Sequence, residues 1–331
     1  MVNSKEKTYI IAEIAQGYEG NPFLVRKFID TAKKCGADAV KFQIFKAEEI
    51  STVSYKDYAI FKSLEFSNEI WCDLIEYSSE VGIDFWADIF GVETYNWISK
   101  TRIKGFKIHS TDIKNKVLLA ALMNSRSRIL LSTGGSELSE IANAIKVLGE
   151  NELALLTGFQ AEPNQLEDIE LDKIEFLRNK FGKEVGYADH FDASNSFSLQ
   201  VPALAVLKGA SIIEKHLTLD REYLKLEDYV SALNPDEFAK MVNFVRNVEK
   251  IRKSGDVYTL SEREAYYRSW TKKCVVAARF LKRGEVIDYS NVVLLRTGES
   301  NPDFFEYDEV LGREVLNDIV EHQILKKSDL I

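Results

Sequence analysis

The chain has 331 residues, 45% of them hydrophobic and 29% charged, a globular composition whose length predicts one large domain plus a small one. Its net charge of -9 weighs against nucleic acid or an anionic membrane surface as a main partner. No apolar run approaches the roughly 20 residues of a membrane span, and the opening residues lack the apolar core of a signal peptide. Cys35, Cys72 and Cys274 stand apart without metal-ligand spacing, which predicts reduced thiols and a cytoplasmic protein.

Apolar or β-branched runs at Tyr9–Ala15, Ala37–Phe45, Asp84–Phe90, Gly105–Ser110, Arg128–Thr133, Leu153–Phe159, Glu184–His190 and Ser211–Thr218 predict eight strands. Helical spacing separates them. After the first strand, Asn21 is placed to cap and Pro22 suits the first turn, with Leu24, Phe28, Ala32 and Cys35 as the apolar stripe. After the eighth, Asn234-Pro235 opens a helix carrying Phe238, Val242, Val245, Val248 and Ile251 on one side. Eight strands alternating with helices predict a (β/α)8 TIM barrel; a doubly wound open sheet is the rival, but no GxGxxG turn supports it. Past residue 253 the pattern changes. A polar linker over 254–270 precedes a small β-rich domain over 271–331, with short runs at Cys274–Ala278 and Val292–Arg296. That tail is too small to bury much core alone and is expected to dock on a barrel.

Strand parity locates the chemistry within the barrel of residues 1–253. In the second strand Ala39, Lys41 and Gln43 share one face, and the apolar Val40, Phe42 and Ile44 suit the helices, so Lys41 points inward. The same rule turns Lys107 and His109 inward, puts Glu214 and His216 on one face, and groups His190 with Gly186 and Ala188. Glu13 comes late in the first strand. Ionisable side chains at the C-terminal ends of several barrel strands define a polar site, with a structural ion-pair network as the competing explanation. His190 and His216, on adjacent strands, are candidates to share a divalent metal. Lys215 faces the other way and reads as structural, Asp112, Asp189 and Asp192 as loop caps, and Trp71 and Trp97 as packing.

Seven segments in order, IIAEIAQGYEGN, GADAVKFQIFKAEE, GFKIHSTD, ILLSTGG, EVGYADH, GASIIEKHLTLD and DYVSALNPDEF, resemble the sialic acid synthases. The tail TKKCVVAARFLKRGEVIDYSNVVLLRTG resembles that family's antifreeze-like (SAF) domain. The resemblance implies condensation of phosphoenolpyruvate with an amino-sugar aldehyde, N-acetylmannosamine-like or a diacetamido hexose, to a nonulosonic acid plus phosphate. It implies that His190 and His216 bind a divalent metal, manganese or alternatively magnesium. Lys41, Lys107 and Ser110 would hold phosphoenolpyruvate, Glu13 and Asp228 would contact the sugar, and Glu214 would stand beside the metal. Glu13, Glu214 or Asp228 would handle protons as catalytic residues, with Gln160 and Glu162 on the sugar. Arg296 would reach the sugar of the neighbouring subunit in a domain-swapped homodimer. The run Gln160-Ala161-Glu162-Pro163 replaces an Asn or Ser followed by Tyr-Pro, Gly17-Tyr18 replaces an Asn-His pair, and Ala188 replaces a phosphate-binding serine. These departures leave two other readings. One is a non-catalytic sugar-phosphate-binding relative; the other is a barrel aldolase or lyase using Lys41 or Lys107 as a Schiff base.

Overall fold

The computed structural model describes residues 7–123, 125, 127–159, 164–224, 228–252, 258–298 and 306–331. Gln160 and Glu162 lie outside the described residues. Two compact units divide the chain, Met1–Ser254 and Gly255–Ile331.

In the first unit eight parallel strands close into a barrel: β1 (Tyr9–Ala15), β2 (Ala39–Ile44), β3 (Asp84–Ile89), β4 (Gly105–Ile108), β5 (Arg128–Ser132), β6 (Leu153–Thr157), β7 (Glu184–Asp189) and β8 (Ile212–His216). β1 pairs with β8 from Tyr9↔Ile212 to Glu13↔His216, which completes the circle. This is the TIM barrel that the strand–helix alternation predicts. The helix Pro22–Lys34 starts as expected, with the Asn21 side chain accepting from the Phe23 N–H. Its buried stripe is Val25, Phe28, Ile29 and Ala32, shifted from the predicted one because four residues per turn overshoot the 3.6 of the helix. The long helix Pro235–Ile251 buries Phe238, Met241, Val242 and Val245, while Ile251 near its end is exposed.

The barrel interior is layered. Ile11, Ala39, Trp86, Leu130, Ala154, Leu156 and Ile212 form an apolar floor. Two residues further along the strands, parity brings Glu13, Lys41, Asp88, Lys107 and Glu214 inward. A further step of two reaches Gln43, His109, His190 and His216 at the mouth. The outward face of the strands joins the helices in one large apolar core. Tyr18 belongs to that outer core. Its ring packs edge-on against Phe42 and Trp71, and its hydroxyl donates to the Leu64 carbonyl. Tyr18, which replaces part of the family's Asn-His pair, is therefore a core residue, its large apolar ring worth more buried. Trp71 packs in the same cluster, as expected.

The second unit pairs β9 (Cys274–Ala277) and β10 (Val292–Leu295) antiparallel. It has its own core of Val275, Ala277, Leu281, Ile287, Val292, Val310, Val315, Ile319, Leu325 and Leu330, more than its size led us to expect. The stretch 254–270 contributes most of a capped helix, Glu262–Thr271, with the Ser261 hydroxyl accepting from the Glu264 N–H. Among the described residues no helix is long and apolar enough to cross a membrane.

The floor leaves no spare volume. A Cβ added to Gly105 would lie 2.4 Å from the Trp86 ring and 2.4 Å from the Arg128 carbonyl oxygen. Gly105→Ala is therefore expected to cost about 1–3 kcal/mol of stability through overpacking. Urea unfolding should show the midpoint falling with the slope unchanged.

Candidate active site

The site begins with a strained turn of backbone. At the end of β1 the register with β2 slips between Glu13 and Ala15, and Ala15 adopts φ 51°. Such a conformation in a residue with a Cβ costs about 1–3 kcal/mol and persists only where surroundings fix it. Here the Ala15 N–H donates to Glu13 Oε1 at 2.6 Å, so the distortion aims the carboxylate. The other oxygen of Glu13 pairs with Lys41 Nζ.

Lys41 and Lys107 lie within a lattice of three carboxylates. Lys41 Nζ is 3.3 Å from Glu214 Oε2 and 3.7 Å from Asp88 Oδ2. Lys107 Nζ donates to Glu214 Oε1 at 2.7 Å and lies 3.6 Å from the same Asp88 Oδ2. All five side chains are buried. Charges so deep survive only by mutual pairing. Parity foresaw the inward lysines. Asp88 is the member that the sequence motifs miss, although the alternation of Phe85, Ala87 and Ile89 against Asp84, Trp86 and Asp88 carries the same signal.

The lattice sets the protonation states. Burial pushes the Glu13 carboxyl up, to about 7, against the pull of Lys41; the neighbouring Glu214 carboxylate adds to the rise. Burial would also raise Glu214, but Lys107 and Lys41 together hold it well below the usual carboxylate range. The shared proton therefore resides on Glu13, because Glu214 bonds one lysine and pairs with the other. Burial works against the charge on Lys107, yet Glu214 and Asp88 keep that ammonium firmly protonated.

His190 and His216 stand above this layer with ring centroids 5.3 Å apart. Burial lowers His190 to about 3, with Lys107 adding to the effect; burial and the neighbouring His190 hold His216 far below its ordinary value. Both rings are thus neutral, the form that ligates metals. His190 Nδ1 is buried with no hydrogen-bond partner among the described residues. After β8 the chain returns so that the Leu233 N–H donates to the His216 carbonyl. This brings Asp228, in the left-handed conformation at φ 61°, to 3.8 Å from His216 Nε2. Two neutral imidazoles with an orphaned ring nitrogen fit a divalent cation that takes its other ligands from water or substrate. Among the described residues no group of three or more His, Cys, Asp or Glu side chains forms a cage.

His109 also reaches the mouth, against Phe90, and its Nδ1 lies 3.0 Å from the Thr111 hydroxyl. Ser110 follows it in a short 3-10 turn and is half-buried. The opposite wall is small: Ser132, Gly158 and Ala188 hold the matching positions on the β5, β6 and β7 side. Gly158 has φ 142°, and a Cβ there would meet the Ala188 carbonyl oxygen at 2.0 Å, so only glycine lets these strand ends close up. Lys215 is structural as its parity suggests, 3.1 Å from Asp189 on the outer face. Asp189 accepts from the Phe191 N–H, the cap expected of it, and carries this ion pair in addition. Arg296 is exposed just past β10. It lines a cavity of about 480 Å³ in the second unit with Thr297, His322, Gln323 and Lys326.

A parallel barrel with a buried lysine–carboxylate layer beneath paired histidines is the architecture of an enzyme working at the C-terminal ends of its strands. Residues 28–257 match the NeuB family and residues 272–331 the SAF domain. The chain belongs to the NeuB family. It is 34% identical to an uncharacterized protein of Methanocaldococcus jannaschii, covering 100% of this chain and 96% of that one. It is 30% identical to the N,N'-diacetyllegionaminic acid synthase of Legionella pneumophila over 88% of this chain and 85% of the relative. Among solved structures, the N-acetylneuraminic acid synthetase of Leptospira borgpetersenii superposes with a TM-score of 0.74 at 31% identity. That match covers 80% of this chain and 92% of that one.

The raised Glu13 carboxyl makes a pH-dependent prediction. The folded protein holds its proton up to about 7, whereas an ordinary carboxyl releases it near 4.5. Glu13 therefore favours the folded state most below 4.5, and that contribution is lost as pH rises through about 7. Glu13→Gln, which cannot ionise, should gain stability relative to the unaltered protein across this window. Urea midpoints of the two proteins at several pH values would check it; a constant difference would contradict the assignment.

Proposed function

We propose that the protein condenses phosphoenolpyruvate with an amino-sugar aldehyde to give a nonulosonic acid and phosphate. The observation that carries this reading is the pair of inward lysines, Lys41 and Lys107, directly beneath the neutral pair His190 and His216. The named relatives support it, since they are synthases of legionaminic, pseudaminic and neuraminic acids.

Lys41 and Lys107 take the anionic groups of the three-carbon donor and hold its C3 near the sugar aldehyde. His190 and His216, with Asp228 beside them, would hold a divalent metal, manganese or magnesium, which would supply Lewis-acid polarisation of the aldehyde oxygen. Ser110 adds a hydroxyl to the phosphate contacts. The enol π pair of the donor forms the new bond from C3 to the aldehyde carbon. Water adds to the cationic former enol carbon and returns one proton to the Glu13 carboxylate. Phosphate then leaves with the C–O electron pair, taking up the remaining hydroxyl proton as the ketone forms. Glu13, already carrying a proton in the resting site, donates it to the developing alkoxide. A Schiff base on Lys107 is disfavoured, because its amine must be unprotonated and Glu214 and Asp88 hold it charged.

The sugar we propose is a modified hexosamine such as a diacetamido-dideoxy hexose. Glu162 accepts hydrogen bonds without donating and favours a substrate offering an N–H or O–H. Arg296 acts across a domain-swapped homodimer in this reading.

Incubation with manganese, phosphoenolpyruvate and a panel of sugars including N-acetylmannosamine and a diacetamido-dideoxy hexose tests the reading. Phosphate release and a product with the summed mass of donor, sugar and water less phosphoric acid are expected, fastest with the diacetamido sugar. No phosphate release with any sugar would overturn it. His190→Ala and His216→Ala should each lose at least about a hundredfold in turnover with the thermal midpoint held, as should the chelated protein. Near-normal turnover in either variant would remove the metal from the mechanism.

A further inference from the structure

Asp88 has no part in the chemistry above, yet it occupies the centre of the site. It is 1% exposed and lies on β3, between the strands that carry Lys41 and Lys107. One oxygen, Oδ2, lies 3.7 Å from the first ammonium and 3.6 Å from the second, beyond good hydrogen-bond distance to either. The other, Oδ1, is buried without a hydrogen bond to any described residue. Glu214, by contrast, reaches the same two lysines at 3.3 and 2.7 Å. Lys41, Glu214, Lys107 and Asp88 thus form a ring of alternating charge in which Asp88 holds the two long contacts. Glu13 also pairs with Lys41 and is the carboxyl that holds the proton, so the two lysines share two remaining carboxylates, Glu214 and Asp88. Of these Asp88 makes the longer contacts, the easier to displace.

An anion that bridges both lysines must approach the carboxylate between them. β7 stands opposite β3 in a closed barrel of eight, and there the wall is Ala188 with Gly158 beside it, uncharged and close to backbone. We infer that Asp88 is a specificity-determining residue, a fixed negative charge between the binding lysines that limits affinity for highly charged donors and turns their phosphate toward the β5–β7 wall. This rests on the reading of the barrel as a phosphoenolpyruvate site. The penalty grows with ligand charge, so the site discriminates less in favour of phosphoenolpyruvate over pyruvate, which lacks the phosphate, than its two lysines alone would.

The test is calorimetric titration of the full-length protein, with and without manganese, using phosphoenolpyruvate and pyruvate as ligands. Asp88→Asn keeps the shape and removes the charge. It should bind phosphoenolpyruvate at least about fivefold more tightly, with a smaller gain for pyruvate. Asp88→Glu, which restores the charge, should return the ratio of the two affinities toward that of the unaltered protein. A side chain that merely supports the fold would weaken both ligands when replaced. An unchanged ratio in Asp88→Asn, or weaker phosphoenolpyruvate binding, would overturn the inference. Should Asp88→Asn not fold, Asp88→Ser carries the same expectation. If the unaltered protein binds no phosphoenolpyruvate while Asp88→Asn does, Asp88 keeps its role and the proposed donor falls. If neither protein binds it, both fall.

Discussion

Everything at this site depends on placing two lysines where water does not reach. An ammonium buried alone in a barrel would lose its proton or unfold its surroundings, since desolvation costs several kcal/mol per ion. Glu214 resolves this for both at once, one oxygen toward Lys41 and the other toward Lys107. Glu13 and Asp88 complete the lattice. Its charges do not balance, and the imbalance is what perturbs the site. One carboxyl retains a proton near neutrality, while the lysine beside Glu214 stays charged. Removing one member alone would strand its partner, so these residues behave as a unit.

The layered interior explains how the barrel bears such a cluster. Trp86, Ile11, Leu130 and Ile212 seal the floor, so the charged layer is closed from below and opens only toward the strand ends. The lysine-bearing strands sit on one side of the barrel, and small residues on β5, β6 and β7 form the other. A ligand entering from the mouth would meet neutral histidines first, cations next and an uncharged backbone wall opposite. Such a gradient would orient a ligand with an anionic end and a neutral end. The histidine pair at the mouth is kept neutral by the same burial that closes the floor.

Family membership narrows the chemistry without fixing the sugar. The curated relatives are named as synthases of different acids, among them N,N'-diacetyllegionaminic acid, pseudaminic acid and N-acetylneuraminate 9-phosphate. Substrate choice in such a family rests on a few hydrogen-bonding side chains at the mouth, where one mismatched buried contact changes the rate by about tenfold to a hundredfold. In the proposed reaction Lys41 and Lys107 would meet groups that any donor anion carries, and the mouth residues what differs from sugar to sugar.

The sequence by itself determined the barrel, because eight apolar strands with helical spacers repeat at a period that local residues set. Alternation by two also determined that Lys41, Lys107, Glu214 and His216 face inward, since that rule needs no partner strand. Asp88 obeyed the same rule and was legible in principle. What alternation does not supply is distance. Pairing of β1 with β2 brings Glu13 beside Lys41, only closure of β1 against β8 adds Glu214 to them, and only the return of the chain at Leu233 brings Asp228 to His216. Tyr18 shows the converse: its place in the sequence points toward the site, but a ring that size is stabilised more by the cluster of Phe42, Phe66 and Trp71. That Glu13 is the carboxyl that keeps a proton was decided by tertiary structure alone. Protonation depends on which charges lie within a few ångströms in a medium of low dielectric, and that neighbourhood is assembled from strands far apart in the chain.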